Sequence, residues 1–512
     1  MNAKKHTSIL NKILNKTINT IILCFLFNIL FCYSYDNAVY AQQKKQQQKK
    51  AAPKKTTAKS KSKSKPKPKP KAKKKTPQKA KSTPIRKVQP NAHIFLKDSL
   101  LADGISYKQL YLTINGIKHS VHILQVDLIN NKTEINVVKG GNNITELERL
   151  PIMLDNSNVD TSQRKIIGGI NANFWRAYTN YPIGPTIING EIAEMPSYKK
   201  WTSTFFNEDG VPFTNFFDIQ GELITKNIHK IDIISVNRRT SQDGLVLYNR
   251  FGGDVIPYIN SKKVEELLLA GLDNVFQGPA IDDSTESVET LALYKDNLLE
   301  AQRESNLEYD MKKLILKYVD EPAVNAYVRC EVIGFDSGTT RIPENGCVLS
   351  IGNDIDFEIL PKVGDRVNIH FWTNVNESEI FINSVCGTPR LVRDGMARHE
   401  AFEEGSTQKR FINGALPRTA IGYDKEKTKF YMVIVDNKRN DGTIGASLTQ
   451  LADIMEYIGC YAAQNLDGGG SSNMVLGGEN IINPINSRKL SVALSAVSLR
   501  HEKVSGLRKK RR

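Results

Sequence analysis

The chain has 512 residues, 40% of them hydrophobic, enough apolar material for one large core or two ordinary ones. Its formal charge of +17 would suit a binder of polyanions, but that charge sits at the ends. Residues 42–90 hold 20 Lys and Arg and no acid, residues 1–41 carry +3 and the final Arg-Lys-Lys-Arg-Arg carries +5, which leaves −11 for residues 91–507. An acidic globular part, and a basic run without stacking aromatics, argue against nucleic acid as a partner.

At the front, Lys4, Lys5, Lys12 and Lys16 precede the apolar run Ile21 to Phe31, and Val39-Tyr40-Ala41 offers a small-residue exit. Eleven residues interrupted by Asn28 suit the core of an export signal better than a spanning helix of about 20 residues. Residues 1–41 are therefore expected to be a signal peptide, with an uncleaved anchor as the alternative. Residues 42–91, typified by "KSKSKPKPKPKAKKK", cannot bury enough surface to fold and are expected to be a disordered Lys/Pro-rich linker. The linker reads either as a tether onto an anionic cell-wall or membrane surface or as a solvated spacer.

From about Ala92 the pattern becomes globular. "YLTINGIKHSVHILQVDLINNKTEINVVKG" alternates apolar and polar around Asn115-Gly116, and "PTIINGEIAEM" does so around Asn189-Gly190, which predicts antiparallel hairpins. Residues 262–320 read as an insertion with helical patches "KKVEELLLAGL" and "MKKLILKYV". "IPENGCVLSIG" and "LPKVGDRVNIHFW" return to strand. "SLTQLADIMEYIG" puts Leu448, Leu451, Ile454, Met455 and Ile458 on one helical face, with Ser447 and Gln450 spaced as a capping box and Gly459 at the exit. The expected fold is α+β: one unit over 92–505, built of twisted mixed or antiparallel sheets with a few packed helices, followed by a basic tail at 506–512. Cys330, Cys347, Cys386 and Cys460 form no CxxC pair; export would permit up to two disulfides in any of three pairings, and buried free thiols fit as well.

The stretch "NLDGGGSSNMVLGG" is the most informative. A short apolar strand, "CYAAQNL", delivers Asp467 to a strand end, three glycines turn, and "NMVL" resumes. Bare backbone there would let the amides of Gly468, Gly469 and Gly470 converge on an anionic oxygen, with Ser471 and Ser472 adding hydroxyl donors. That chemistry suits a phosphate or sugar site containing a carboxylate.

Together with "GGINANFW" (168–175), "GPTIINGE" (184–191), "GTPRLVRDG" (387–395) and "LPRTAIGYD" (416–424), this stretch resembles the phosphodiester glycosidase family, the group related to the enzyme that uncovers mannose 6-phosphate. The resemblance runs from about residue 121 to 499. It implies hydrolysis of the bond between a sugar's anomeric carbon and a phosphodiester oxygen, with carbohydrate or phosphodiester-linked glycan as partner. The leaving phosphate monoester departs as an anion, so a carboxylate and charge stabilisation are what remain to be supplied. Asp467 is the expected nucleophile or base, and Arg418 the expected clamp on the phosphate. Asn171 and Asn173, two apart and so on one strand face, suit hydroxyl or N-acetyl recognition. Arg393 and Asp436 are further substrate-binding candidates, although Asp394-Gly395 after Arg393 reads as a turn. After Asp436 the family pattern runs through Gly and Arg, where this chain has Asn437 and Lys438.

A divalent cation such as calcium would find hard ligands in Asp436, Asp441 and Asp467, at spacings that match no EF-hand. No GxSxG, HExxH or GxxxxGK[ST] motif occurs. Trp175, Trp201 and Trp372 read as core anchors more than sugar platforms, with Trp175, beside "INANF", the one to test for stacking, and His399 is expected at the surface. Two readings follow: an exported hydrolase of sugar-1-phosphodiesters, or a catalytically silent envelope protein that binds polysaccharide in the same pocket.

Overall fold

The computed structural model describes residues 92–500 except 159–163, 177–178, 260, 277–283, 438–441 and 483–486. The chain divides at residue 84, and residues 85–512 form the second unit. The export signal, the basic linker and the tail lie outside the described residues, which belong to the second unit. Among them no helix is long and apolar enough to cross a membrane.

The hairpin signals fold as their chemistry requires. Asn115-Gly116, Asn189-Gly190 and Gly477-Gly478 all take positive φ, the left-handed pair that a two-residue reverse turn demands, and each closes a hairpin between flanking strand residues. The first joins Ile105–Ile114 to Ile117–Asp127 in an eight-stranded antiparallel sheet, which continues through Lys429–Asp436, Arg418–Tyr423 and Ala462–Asn465. A five-stranded sheet centred on Arg164–Asn171 and Val492–Leu499 packs against its inner face. Leu124, Ile170, Ile421, Met432, Ile434 and Leu494 fill that interface, all at most 1% exposed.

The outer face of the eight-stranded sheet is covered by the helix Leu448–Ile458. Ser447 and Gln450 form the reciprocal capping box, and Gly459 ends the helix at φ 102°. Leu448, Leu451, Ile454 and Met455 seal it onto Val121, Ile123, Ala420 and Val433.

The fold is consistent with the expected α+β class but is mostly β, and two features were not foreseen from the sequence. Seven strands between Ile219 and Thr373 close into a barrel around Leu223, Leu314, Leu316, Cys347 and Leu349. "MKKLILKYV" is not helical: Lys312–Tyr318 is a barrel strand whose Leu314, Leu316 and Tyr318 point inward with period two, so β pairing overrides the helical composition. The helices of this region, Ser261–Phe276 and Ser284–Tyr309, form a hairpin between barrel strands. Glu308, in the last turn, is locked to the barrel by Arg239 at 2.9 Å and by the Tyr248 hydroxyl, while Lys313 donates to its carbonyl, all four being buried.

Cys330, Cys347, Cys386 and Cys460 are buried free thiols. Burial pushes Cys330 and Cys386 up to about 12.

Candidate functional site around Asp467

Asp467 is held between the two packed sheets. The strand Ala462–Asn465 pairs with Arg418–Tyr423, and the Leu466 N–H donates to Thr419 O at 2.9 Å. The chain then crosses to the other sheet: Asp467 N–H donates to Ala172 O at 3.0 Å, and the Asn171 side-chain amide donates to Asp467 O at 2.6 Å. Both carbonyl and N–H of Asp467 are thus fixed before its side chain is considered.

Asp467 as a residue is partly exposed, and burial of its carboxyl raises it to about 6. The Ser471 hydroxyl beside it, the positive Arg488 and the Gly468 N–H pull the other way. Ser471 Oγ faces the carboxyl without closing a well-formed hydrogen bond, so the desolvation effect dominates.

The glycines serve a different purpose from the anion nest that their sequence suggests. Gly469 N–H donates to Pro417 O, Ser471 N–H to Gly468 O and Ser472 N–H to Gly469 O, while Gly468 N–H meets the Asp467 carboxyl. Those amides are already used by the protein; Gly470, at the exposed tip, carries no such bond. A side chain at Gly468 would start 3.0 Å from Pro417 O. Gly469 sits at φ 62° with open space above it. The loop is a bracket for the carboxylate, with a bare surface over Gly469.

Asn171 ends its strand and Asn173 lies just beyond it, and both are buried among different neighbours. Asn171 is 1% exposed; its carbonyl accepts from the Thr419 hydroxyl and Asn473 N–H. Asn173 donates to Thr186 Oγ1 and accepts from Cys386 N–H. Both amides are engaged by the fold through donor and acceptor alike and act as positioning residues. Ser472 likewise is buried against the Thr419 hydroxyl.

Arg418 lies on the face opposite Thr419, toward the helices. Its guanidinium donates to the carbonyls of Ala446, Phe411 and Gly414, and burial lowers it to about 10. The expected phosphate clamp is a buried tie between loops. Arg393 is exposed and paired with Glu400 at 2.6 and 2.7 Å, and Asp394-Gly395 form the left-handed turn after it. Its strand meets the Asp467 end at Pro389, which accepts from Asn465 N–H, so Arg393 lies four positions, about 13 Å, further along. It does not join the site.

Asp436 does come to the same edge. Arg418 pairs with Val435, so the register places Pro417 opposite Asp436, and Pro417 O is also the acceptor for Gly469. On the other side Asp436 pairs with Ser120. Ser120, His122 and Tyr107 continue this buried polar strip, with Tyr107 Oη 2.8 Å from His122 Nδ1. The signal for these residues was present in "KHSVHILQVD", where Ser120 and His122 occupy alternate, inward positions of an apolar strand. Asp441 lies outside the described residues, among which no group of three or more His, Cys, Asp or Glu converges as a metal site. Trp175 is half-buried in a bridge to Pro182, whereas Phe174, its neighbour, packs on Trp201 at 5.3 Å. His399 is half-buried rather than superficial, and burial lowers its pKa.

Residues 325–497 match the family described as phosphodiester glycosidase. No curated protein matches the sequence. Among solved structures, a protein from Synechocystis is 18% identical with a TM-score of 0.54, covering 80% of this chain and 64% of that one. The chain therefore spans about 64% of the length of that relative. A protein from Burkholderia pseudomallei is 12% identical with a TM-score of 0.50, covering 79% of this chain and 96% of that one. These two likenesses are of fold. The catalytic domain of zebrafish N-acetylglucosamine-1-phosphodiester alpha-N-acetylglucosaminidase overlaps 80% of this chain and 86% of its own at 14% identity, with a TM-score of 0.34 that is too low to compare sites.

Proposed function

We propose, on the premise of the match between residues 325–497 and the phosphodiester glycosidase family, that the chain is an exported hydrolase of glycosyl-1-phosphodiesters in envelope polysaccharide or glycan. The bond cleaved joins sugar C1 to a phosphate oxygen, as in N-acetylglucosamine-1-phosphodiesters. The observation that carries this reading is Asp467, partly exposed, its carboxyl raised to about 6 and its backbone fixed by both sheets beside the open surface of Gly469. Export rests on the charged and apolar pattern of residues 1–41.

A carboxyl with that pKa is ionised at neutral pH and still basic enough to accept a proton. In the reading we favour, water attacks C1 as Asp467 takes its proton; the C1–O bond breaks and its electron pair leaves with the phosphate monoester. No acid need protonate that leaving group, which is consistent with a site whose second carboxyl, Asp436, is set one strand over. Asn171 then acts by holding the loop, and Asn173 and Arg418 by tying the segments around it.

The test is release of free reducing sugar from a panel of sugar-1-phosphodiesters by the full chain. Turnover of at least one member, lowered a hundredfold or more by Asp467→Asn, is the expected result. A second reading, a silent polysaccharide-binding protein, draws on Asn437 and Lys438 where the family has Gly and Arg, and predicts binding with no sugar released from any member.

A further inference from the structure

We propose that the cavity between Arg176, Arg238 and the inserted helix Ser284–Tyr309 holds a remote segment of the saccharide chain, so that the substrate is a polymer gripped over several sugar units. This rests on the glycosidase reading of Asp467 and extends it.

The cavity measures about 530 Å³, the size of a small oligosaccharide, and is lined by Arg176, Tyr181, Tyr198, Arg238, Glu300 and Glu304 among others. Its walls are chemically two-sided. Arg176 and Arg238 bring donors from the sheet side, and Glu300 and Glu304 bring acceptors from the helix side. A hydroxyl is the group that serves both at once, and a sugar presents several of them at fixed spacing. Glu194, 1% exposed behind the wall, lies 3.6 Å from Arg176 and 3.5 Å from Arg238, and Arg238 stacks over the Tyr181 ring at 5.4 Å. The two guanidinium groups are thereby held in place. Burial raises Glu304 to about 7, so near neutrality it can donate as well as accept.

A row of aromatic rings runs from the cavity to Arg418, beside the loop that carries Asp467. Tyr198, in the cavity wall and 37% exposed, packs edge-on against Trp201 at 4.8 Å. Trp201 meets Phe174 at 5.3 Å, and Phe174 meets Phe411 at 6.3 Å. Phe174 is two residues beyond Ala172, whose carbonyl holds the Asp467 N–H. At the other end of the row the Arg418 guanidinium covers Phe411, and its Cδ lies 3.9 Å from where a side chain at Gly468 would begin. Phe174, Trp201 and Phe411 are all partly exposed. Such rings offer apolar faces to the C–H faces of successive sugars.

The experiment uses the full chain carrying Asp467→Asn, so that binding is read without turnover. Tryptophan fluorescence is titrated with β-linked N-acetylglucosamine oligomers and with β-linked glucose oligomers, each of one to six units. Affinity is expected to rise at least tenfold from monomer to tetramer in one series, and Tyr198→Ala to remove most of that rise. Glu304→Gln, which preserves shape, must do the same, and it decides the matter if Tyr198→Ala melts well below the parent. Affinity independent of length in both series, a rise that survives both substitutions, or inorganic phosphate competing as well as the tetramer would overturn the proposal. Failure of the glycosidase reading looks different: length-dependent binding persists while no sugar-1-phosphodiester is cleaved by the unsubstituted chain.

Discussion

The side-chain amide of Asn171 donates to the backbone carbonyl of Asp467 across 2.6 Å, tying the end of one sheet to the loop that leaves the other. Asn171→Ala strips partners from Asp467 O, the Thr419 hydroxyl and Asn473 N–H in one step. Each buried group left unpaired costs about 1–3 kcal/mol, so the melting temperature is expected to drop by several degrees and activity to fall with it. Circular-dichroism melts beside initial rates check this. A variant with unchanged melting and unchanged rate would mean the tie is dispensable.

Asp467 also makes a pH prediction. Its folded pKa of about 6 lies above that of an unfolded aspartate, about 3.9, so the fold binds its proton the more tightly. The stability from this group is complete below about pH 4 and is lost as pH rises through 6. Asp467→Asn removes that loss and should be more stable than the parent near pH 7, on the order of 1 kcal/mol after allowing for solvent contact. For the parent, kcat/KM should climb with pH to a plateau above about 6. Urea melts at pH 4 and pH 7, with a pH–rate profile, provide the readout.

Gly469 is at φ 62° in open space, so a substitution there meets no protein atom. Gly469→Ala should cost about 1–2 kcal/mol through the left-handed backbone alone. Its methyl would stand where substrate approaches, so KM should rise more than kcat falls. A steady-state comparison separates the two, and an effect on kcat alone would contradict an open approach over this residue.

Arg418 is expected to behave as structure. Arg418→Met leaves the carbonyls of Phe411, Gly414 and Ala446 without their buried donor, at a cost on the order of 3–5 kcal/mol. Thermal unfolding should detect this before any assay does. A well-folded Arg418→Met protein defective only in turnover would restore the phosphate-clamp role.

The four thiols should resist alkylation in the native protein, because burial disfavours the reactive thiolate. Mass spectrometry after iodoacetamide treatment should show modification of all four only after denaturant is added. Rapid labelling of Cys386 without denaturant would show that its strand opens readily.

Local chemistry was legible wherever one residue type had one conformational use. Asn115-Gly116, Asn189-Gly190 and the Ser447–Gln450 box each specify their geometry within a few residues, and Asp467 at a strand end follows from "AAQNLDGGG". What the sequence concealed was orientation. Period two would place Asn171 and Asn173 on one face, but the strand ends at Asn171, and the period does not say whether a face meets substrate or the other sheet. Arg418 is one residue from Thr419, and that single step sends it to the opposite side of the sheet. The barrel was hidden for a related reason: Lys312–Tyr318 is lysine- and leucine-rich, and only its pairing with Ala326–Ser337 and Gly346–Ile351 makes it a strand.

The lock between Glu308 and the barrel constrains how the helical hairpin can be gained or shed. Lys313 belongs to a barrel strand and Arg239 to the loop that follows another, yet their charge is balanced from the last turn of an element that interrupts the barrel. Excising residues 261–309 alone would strand two buried cations, a defect worth several kcal/mol. A shortened form is expected to fold only when Arg239 and Lys313 are replaced by apolar residues in the same step, so hairpin and barrel are inherited as a pair.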